Sequence, residues 1–181
     1  MKLQEIKKIA IKNHPNEYFC HVYFVHKIAM DLQKKYGGNK KTIAVASLLH
    51  DIGRDNKFNI PHEIAGAEKA KKILKKLNYS KNEIKDICGC ILAHNAKTIK
   101  PKTIEEKIIC SADGASKVFY HNFFGLLSKK EPQEKINWIL KYVDKGYNII
   151  CIPKFKKELK VNYFKIKKIY KEIIKDIKEN S

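Results

Sequence analysis

Apolar residues recur along this chain at steps of three and four, and polar breaks cut the pattern into helices. Leu3, Ile6, Ile9 and Ala10 predict a helix over residues 2–12. His14-Pro15-Asn16 interrupts it, because proline disfavours helix in the residue before it, and Asn16 is a candidate cap for the next helix. Phe19, Val22, Val25, Ile28, Ala29 and Leu32 predict a long helix over 17–36, stopped by Gly37-Gly38. Residues 40–51 read as a buried helix, with Gly53 as its C-terminal breaker. Amphipathic helices follow over 62–77, 81–94 and 104–118, the last two opened by capping boxes, Ser80 with Glu83 and Thr103 with Glu106. The segment FYHNFFGLL at 119–127 should continue as helix or turn. A helix over 131–147 carries Pro132 in its first turn, where proline is tolerated, and Cys151–Pro153 ends it. A final amphipathic helix covers 162–178, with Phe164, Ile166, Ile169, Tyr170, Ile173, Ile174 and Ile177 on one side. The most strand-like piece, 148–152, is short. The expected fold class is all-α, a bundle of about eight helices.

Composition changes this picture little. The 181 residues are 44% hydrophobic and 31% charged, as in a globular chain with a real core. No apolar run nears the roughly 18 residues of a membrane span, and the charged N-terminus lacks the apolar core of a signal peptide. A soluble, cytoplasmic protein with no membrane partner is expected. Five cysteines without a CxxC pair argue against a disulfide framework or a zinc ribbon and read as buried free thiols. The net charge of +19 attracts anions. The excess is almost all lysine spread along the chain, however, which looks like a compositional habit. A nucleic-acid partner is therefore compatible with the charge but not favoured by it, and homo-oligomerisation is left open.

The chemistry gathers on AVASLLHDIGR, residues 44–54. An apolar helix ends here on His50–Asp51, an ionisable pair that is costly to bury without a partner. A divalent cation satisfies both groups, since neutral imidazole and carboxylate are both good ligands. Other ionisable groups sit at helix ends or on apolar faces: His21, His62, His94 and Asp113. His21 and His26 share a helix but stand about 140° apart at 100° per residue, so only one can face a common site. His21 lies on the apolar face, and His26 is expected to be exposed. Four imidazoles and two carboxylates from five helices can converge in a bundle core.

This ordered set resembles the HD superfamily of metal-dependent phosphohydrolases. The matching pieces are HVYFV at 21–25, LLHDIGR at 48–54, HEIAGAEKAKKIL at 62–74, ILAHN at 91–95 and ICSADGASKV at 109–118. The resemblance covers roughly residues 15–120. The expected organisation is an HD domain core over 1–125, with 126–181, which the resemblance does not reach, as a C-terminal helical extension packed on the same domain. It further implies that His21, His50, Asp51 and Asp113 ligate one metal. His62 and His94 fill the places that add a second, bridged by Asp51. His62 has the alternative of a solvent-exposed first-turn residue, and His94 that of a helix C-cap.

By the same resemblance, divalent ions, two per chain and drawn from Mn, Fe, Co, Ni, Zn or Mg, would supply a metal-bound hydroxide. Its substrate would be a phosphate ester or anhydride of a nucleotide or other small phosphorylated molecule. Asp51 is then catalytic as well as ligating. Arg54, the chain's only arginine, is the candidate phosphate clamp, with a salt bridge to Asp55 or Glu63 as its alternative. Lys117 lies one turn beyond Asp113 and can reach substrate, or else is a solvated lysine. Two other functions stay open: a diiron oxygenase of the same superfamily, and a non-catalytic nucleic-acid-binding or regulatory module using the basic C-terminal helix.

Overall fold

The structure is a computed structural model that describes residues 2–14, 21–55, 59–121 and 131–179, with only the backbone for 132, 133 and 178. Eight helices lie among the described residues: α1 Lys2–Asn13, α2 Tyr23–Tyr36, α3 Lys40–Leu49, α4 His62–Lys76, α5 Lys81–Ala93, α6 Ile104–Phe119, α7 Pro132–Asn148 and α8 Pro153–Glu179. No strand is found among those residues. The all-α bundle expected from the periodicity is the observed fold, and both capping boxes are formed. Asn16 and residues 122–130 lie outside the described residues.

Two helices are buried all round and form the spine. In α3 every residue from Thr42 to Leu49 is buried, and in α6 every residue from Ile108 to Val118. A helix apolar on all sides belongs in the middle of a bundle. Accordingly α3 packs on α1, α2, α5 and α6, while α6 also takes α7 and α8, and α4 packs on α5.

Gly53 departs from its expected role. It is not at positive φ, so it does not stop α3 through a left-handed turn. It is needed instead for close approach: a Cβ there would lie 2.2 Å from both Gly66 N and His62 O at the start of α4. This contact draws the end of α3 and the start of α4 together. Gly114 and Gly146 do the same for α6 and α7, where a Cβ on either would stand 2.4–2.6 Å from the other's carbonyl oxygen.

The C-terminal helix also differs. It begins at Pro153, nine positions before the periodicity suggested, because Pro153 opens the helix as a first-turn proline. Its packed face is Phe155, Leu159, Tyr163, Ile166 and Tyr170, whereas Phe164 and Ile169 are more than half exposed. The apolar run 148–152 is no strand. It is the joint between α7 and α8, held to α6 by Ser111 Oγ, which accepts from Cys151 N at 3.0 Å and Ile152 N at 3.2 Å.

Candidate metal centre

Five elements each deliver a group to one point. His21 precedes α2, His50 caps the C-terminus of α3 with Asp51 next, His62 opens α4, His94 caps α5, and Asp113 lies inside α6. Five of the six are almost fully buried, and the His62 side chain is 25% exposed. The two helix-end histidines follow from local sequence. An apolar helix that stops on a histidine leaves that ring free to fold back on its own last turn.

The four rings are held alike. His50 Nδ1 donates to Ser47 O at 2.8 Å, and His94 Nδ1 to Ile91 O at 2.6 Å. His62 Nδ1 stands 3.3 Å from Glu63 Oε2, and Thr98 Oγ1 donates to the other oxygen of that carboxylate, Oε1. His21 Nδ1 meets Ser116 Oγ at 3.2 Å, and that hydroxyl already gives its proton to Asp113 O. Each Nδ1 therefore carries the hydrogen. In the neutral ring each Nε2 is a bare lone pair.

Those lone pairs face one another. His21 Nε2 and His50 Nε2 are 3.1 Å apart, as are His62 Nε2 and His94 Nε2. Asp51 lies between the pairs: Oδ2 is 3.2 Å from His21 Nε2 and 3.4 Å from His50 Nε2, and Oδ1 is 3.4 Å from His62 Nε2 and 3.5 Å from His94 Nε2. Asp113 Oδ1 joins the first group at 3.3 Å from His21 Nε2. Neither Asp51 oxygen nor Asp113 Oδ1 accepts a well-formed hydrogen bond. Two pockets result, His21–His50–Asp113 and Asp51–His62–His94, each with ligand atoms within 4.8 Å of one another. Opposed lone pairs beside carboxylate oxygens repel unless positive charge sits among them, so the donor set fits divalent metal ions.

The electrostatics agree. Burial works against the Asp51 charge, but the His50, His21 and His62 rings around it hold its carboxyl well below the usual range. Burial opposes ionisation of Asp113 too, and Lys117 with His21 outweighs it in the same direction. His21 is raised, because its carboxylate neighbours Asp113 and Asp51 overcome burial, whereas burial pulls His50 down.

Several expectations change here. Arg54 pairs with neither Asp55 nor Glu63: its Nε lies 2.6 Å from Asp51 Oδ2, and its side chain stays 42% exposed. Lys117 is not solvated. It is buried, with Nζ on Asp113 Oδ2. His26 is half-buried and bonds Ser47 Oγ at 2.8 Å, away from the six. His94 caps its helix and faces the site at once. Glu63 and Ser116, which orient rings, were missed. So was Lys145 on α7, whose ammonium is pulled down by burial and by the charges of Lys97, Lys117 and Arg54. A glutamate directly after a site histidine was the one readable hint among these.

The HD domain family profile matches residues 18–117, more than half of the chain. A tRNA (cytidine(56)-2'-O)-methyltransferase of Picrophilus torridus is 38% identical over 104 residues, covering 51% of this chain and 29% of that protein. An uncharacterized protein of Clostridium beijerinckii is 37% identical over 81 residues, 42% of this chain and 52% of that one. Ribonuclease Y of Finegoldia magna is 34% identical over 98 residues, 53% and 17% respectively. The chain thus spans about half or less of the length of these relatives. Among solved structures, Bacillus subtilis YpgQ in complex with ADP superposes with TM-score 0.68 at 14% identity, covering 97% of both chains. A predicted HD superfamily hydrolase from an uncultured Thermotogales bacterium superposes with TM-score 0.57 at 18% identity, covering 90% and 91%. These two share the fold. The profile match, which spans all six residues of the constellation and more than half of the chain, makes the chain a member of the HD domain family.

Proposed function

We propose that this chain is a metal-dependent phosphohydrolase acting on a nucleotide or another small phosphorylated molecule, with His21, His50, Asp51 and Asp113 holding one divalent ion and Asp51, His62 and His94 a second. The observation that carries this reading is the set of four Nε2 atoms directed in pairs at the two oxygens of one carboxylate. Ions held there supply Lewis acidity and activate water for attack on phosphorus.

The chain's own side chains do the rest. Ser116, Ser47 O, Glu63 and Ile91 O fix each ring's tautomer and aim. Lys117 neutralises Asp113 Oδ2 and leaves Oδ1 turned into the first pocket. Arg54 balances the charge of Asp51 and, being partly exposed, is placed to receive phosphoryl oxygens. Lys97, Lys117 and Arg54 each bear on Lys145 electrostatically, and positive charge gathered there suits a phosphate. The fold-sharing Bacillus subtilis protein was crystallised with ADP, which is in keeping with a nucleotide substrate.

A second reading, hydrolysis of a phosphodiester in RNA, draws on two relatives named for tRNA methylation and for ribonuclease activity, and on the net charge of +19. One panel decides between them: nucleoside mono-, di- and triphosphates and short RNA oligomers, with Mn, Co, Ni, Fe or Mg. Turnover of the nucleotides, abolished by chelator and by Asp51→Ala, supports the first reading. Cleavage of RNA alone supports the second. No turnover with any metal, or oxygen consumption by a two-iron form, overturns both.

A further inference from the structure

Two thiols that take no part in the site above lie against each other where α6 meets the joint between α7 and α8. Cys110 Sγ and Cys151 Sγ are 3.4 Å apart, although 41 positions separate them. Both sulfurs also stand 3.1 Å from Ile149 O, so the side chains converge on one spot. The approach is set by main chain as well as rotamer: the N–H groups of Cys151 and Ile152 both donate to Ser111 Oγ, the residue next to Cys110. Cys110 is fully buried and Cys151 half-buried, so a reagent from solvent meets Cys151 first.

The two thiols are unequal. The hydrogen bond with Cys151 and burial push the Cys110 thiol up. The hydrogen bond shared with Cys110 draws the Cys151 thiol down to about 7, against burial and with help from Lys156, Lys100 and Lys107. A half-buried, cation-flanked cysteine beside a buried thiol is the arrangement of an attacking and a resolving cysteine. Cys88 and Cys90 are different. Burial raises both, and they share one helix two positions apart.

We propose that Cys110 and Cys151 form a reversible dithiol–disulfide pair, oxidised by peroxide and reduced by a small thiol, which staples α6 to the joint between α7 and α8. In the first step the Cys151 thiolate attacks one peroxide oxygen, the O–O bond breaks, and the other oxygen leaves as hydroxide and takes a proton to become water. Cys151 is then a sulfenic acid. In the second step the Cys110 sulfur attacks that sulfur, the S–O bond breaks, and a second water leaves with the Cys110 proton. Two thiols have lost two electrons and two protons, and one peroxide has become two waters. A formed bond is ~2.05 Å long, so the sulfurs need to approach by about 1.3 Å. The bond closes a loop of 41 positions and constrains the unfolded chain. Cys110 stands one turn before Asp113, so the staple also secures the helix that carries one pocket carboxylate.

The test uses the full chain, reduced and then exposed to stoichiometric hydrogen peroxide. Thiols are counted after denaturation and linked peptides weighed. The expected result is loss of two of the five thiols and a Cys110–Cys151 peptide pair lighter than its parts by two hydrogens. The thermal midpoint should rise by several degrees and fall back on reduction. Cys151→Ser and Cys110→Ser should each abolish both changes, and Cys88→Ser should keep them. Should Cys110→Ser fail to fold, Cys151→Ser and the wild-type peptide map still decide. Retention of all five thiols, a bond to any other cysteine, or Cys151 driven to sulfinic acid with Cys110 unchanged would overturn the proposal.

Discussion

Every histidine at the centre has a neighbour that claims its Nδ1 hydrogen, and these neighbours are as testable as the ligands. Glu63 is the one whose loss should be specific, because it orients His62 alone, at 3.3 Å from Nδ1. Glu63→Gln should lower affinity for the more weakly held of two ions about 10–100-fold and leave the other unchanged, read by metal titration. Lys117 carries a different burden. Its removal as Lys117→Met leaves Asp113 buried and without its cation. The cost should be about 3–5 kcal/mol by urea denaturation of the metal-free protein. The sign with pH follows from the depressed Asp113 carboxyl. Its contribution is fully present above the ordinary carboxylate range and disappears as pH falls through the lower folded value. Lys117→Met raises that folded value, so acid unfolding followed by circular dichroism should move to higher pH. Of this layer the sequence revealed the six converging groups, since each stood at a helix end or on an apolar face. Glu63, Ser116 and Lys145 were hidden because their roles depend on what lies across the bundle, not on their own periodicity. His26 was misread for the same reason: its partner, Ser47, is on another helix.

Between elements, the approach of α3 to α4 decides whether the two pockets exist as a pair. His50 and Asp51 stand on one side of Gly53, and His62 lies across from it, so the spacing of backbone there sets the spacing of ligands. Gly53→Ala puts a Cβ 2.2 Å from the α4 backbone, which cannot give way as a flexible side chain would. A loss of about 1–3 kcal/mol or more is expected by thermal or urea unfolding, with weakened metal binding beside it. Gly89→Ala on α5 is the control. Its Cβ would meet only the Glu106 carboxylate tip at 3.2 Å, so a gain of about 0.5–1 kcal/mol from helix propensity is expected. Helix positions over α1 to α6 were readable from periodicity, reinforced at α5 and α6 by capping boxes that form. The start of α8 was not, since a proline after an apolar stretch serves equally to end one helix or open the next. Only the joint's attachment to Ser111 shows that the short run before Pro153 is a connector.

Over the whole molecule, the six groups are scattered from position 21 to position 113, yet they close one ring of five elements. On the proposed reading a cation in each pocket would bind the folded chain and not the unfolded one, so occupancy would add stability. At a hundredfold excess over its dissociation constant, one ion contributes about 2.7 kcal/mol. For a chain of this length that corresponds to a midpoint shift of roughly 5–10 °C. Chelation should therefore lower the thermal midpoint, and refilling should restore it. The double variant His62→Ala, His94→Ala separates one ion from two. It keeps His21, His50, Asp51 and Asp113, so the metal count should fall from two to one per chain, with roughly half of the chelator-sensitive shift remaining. Asp51 turns one oxygen toward each pair of histidines, so Asp51→Ala should abolish the shift entirely. Were the double variant to bind as many ions as the parent, or the parent to melt identically with and without chelator, the opposed Nε2 pairs would need a proton between them instead of a metal.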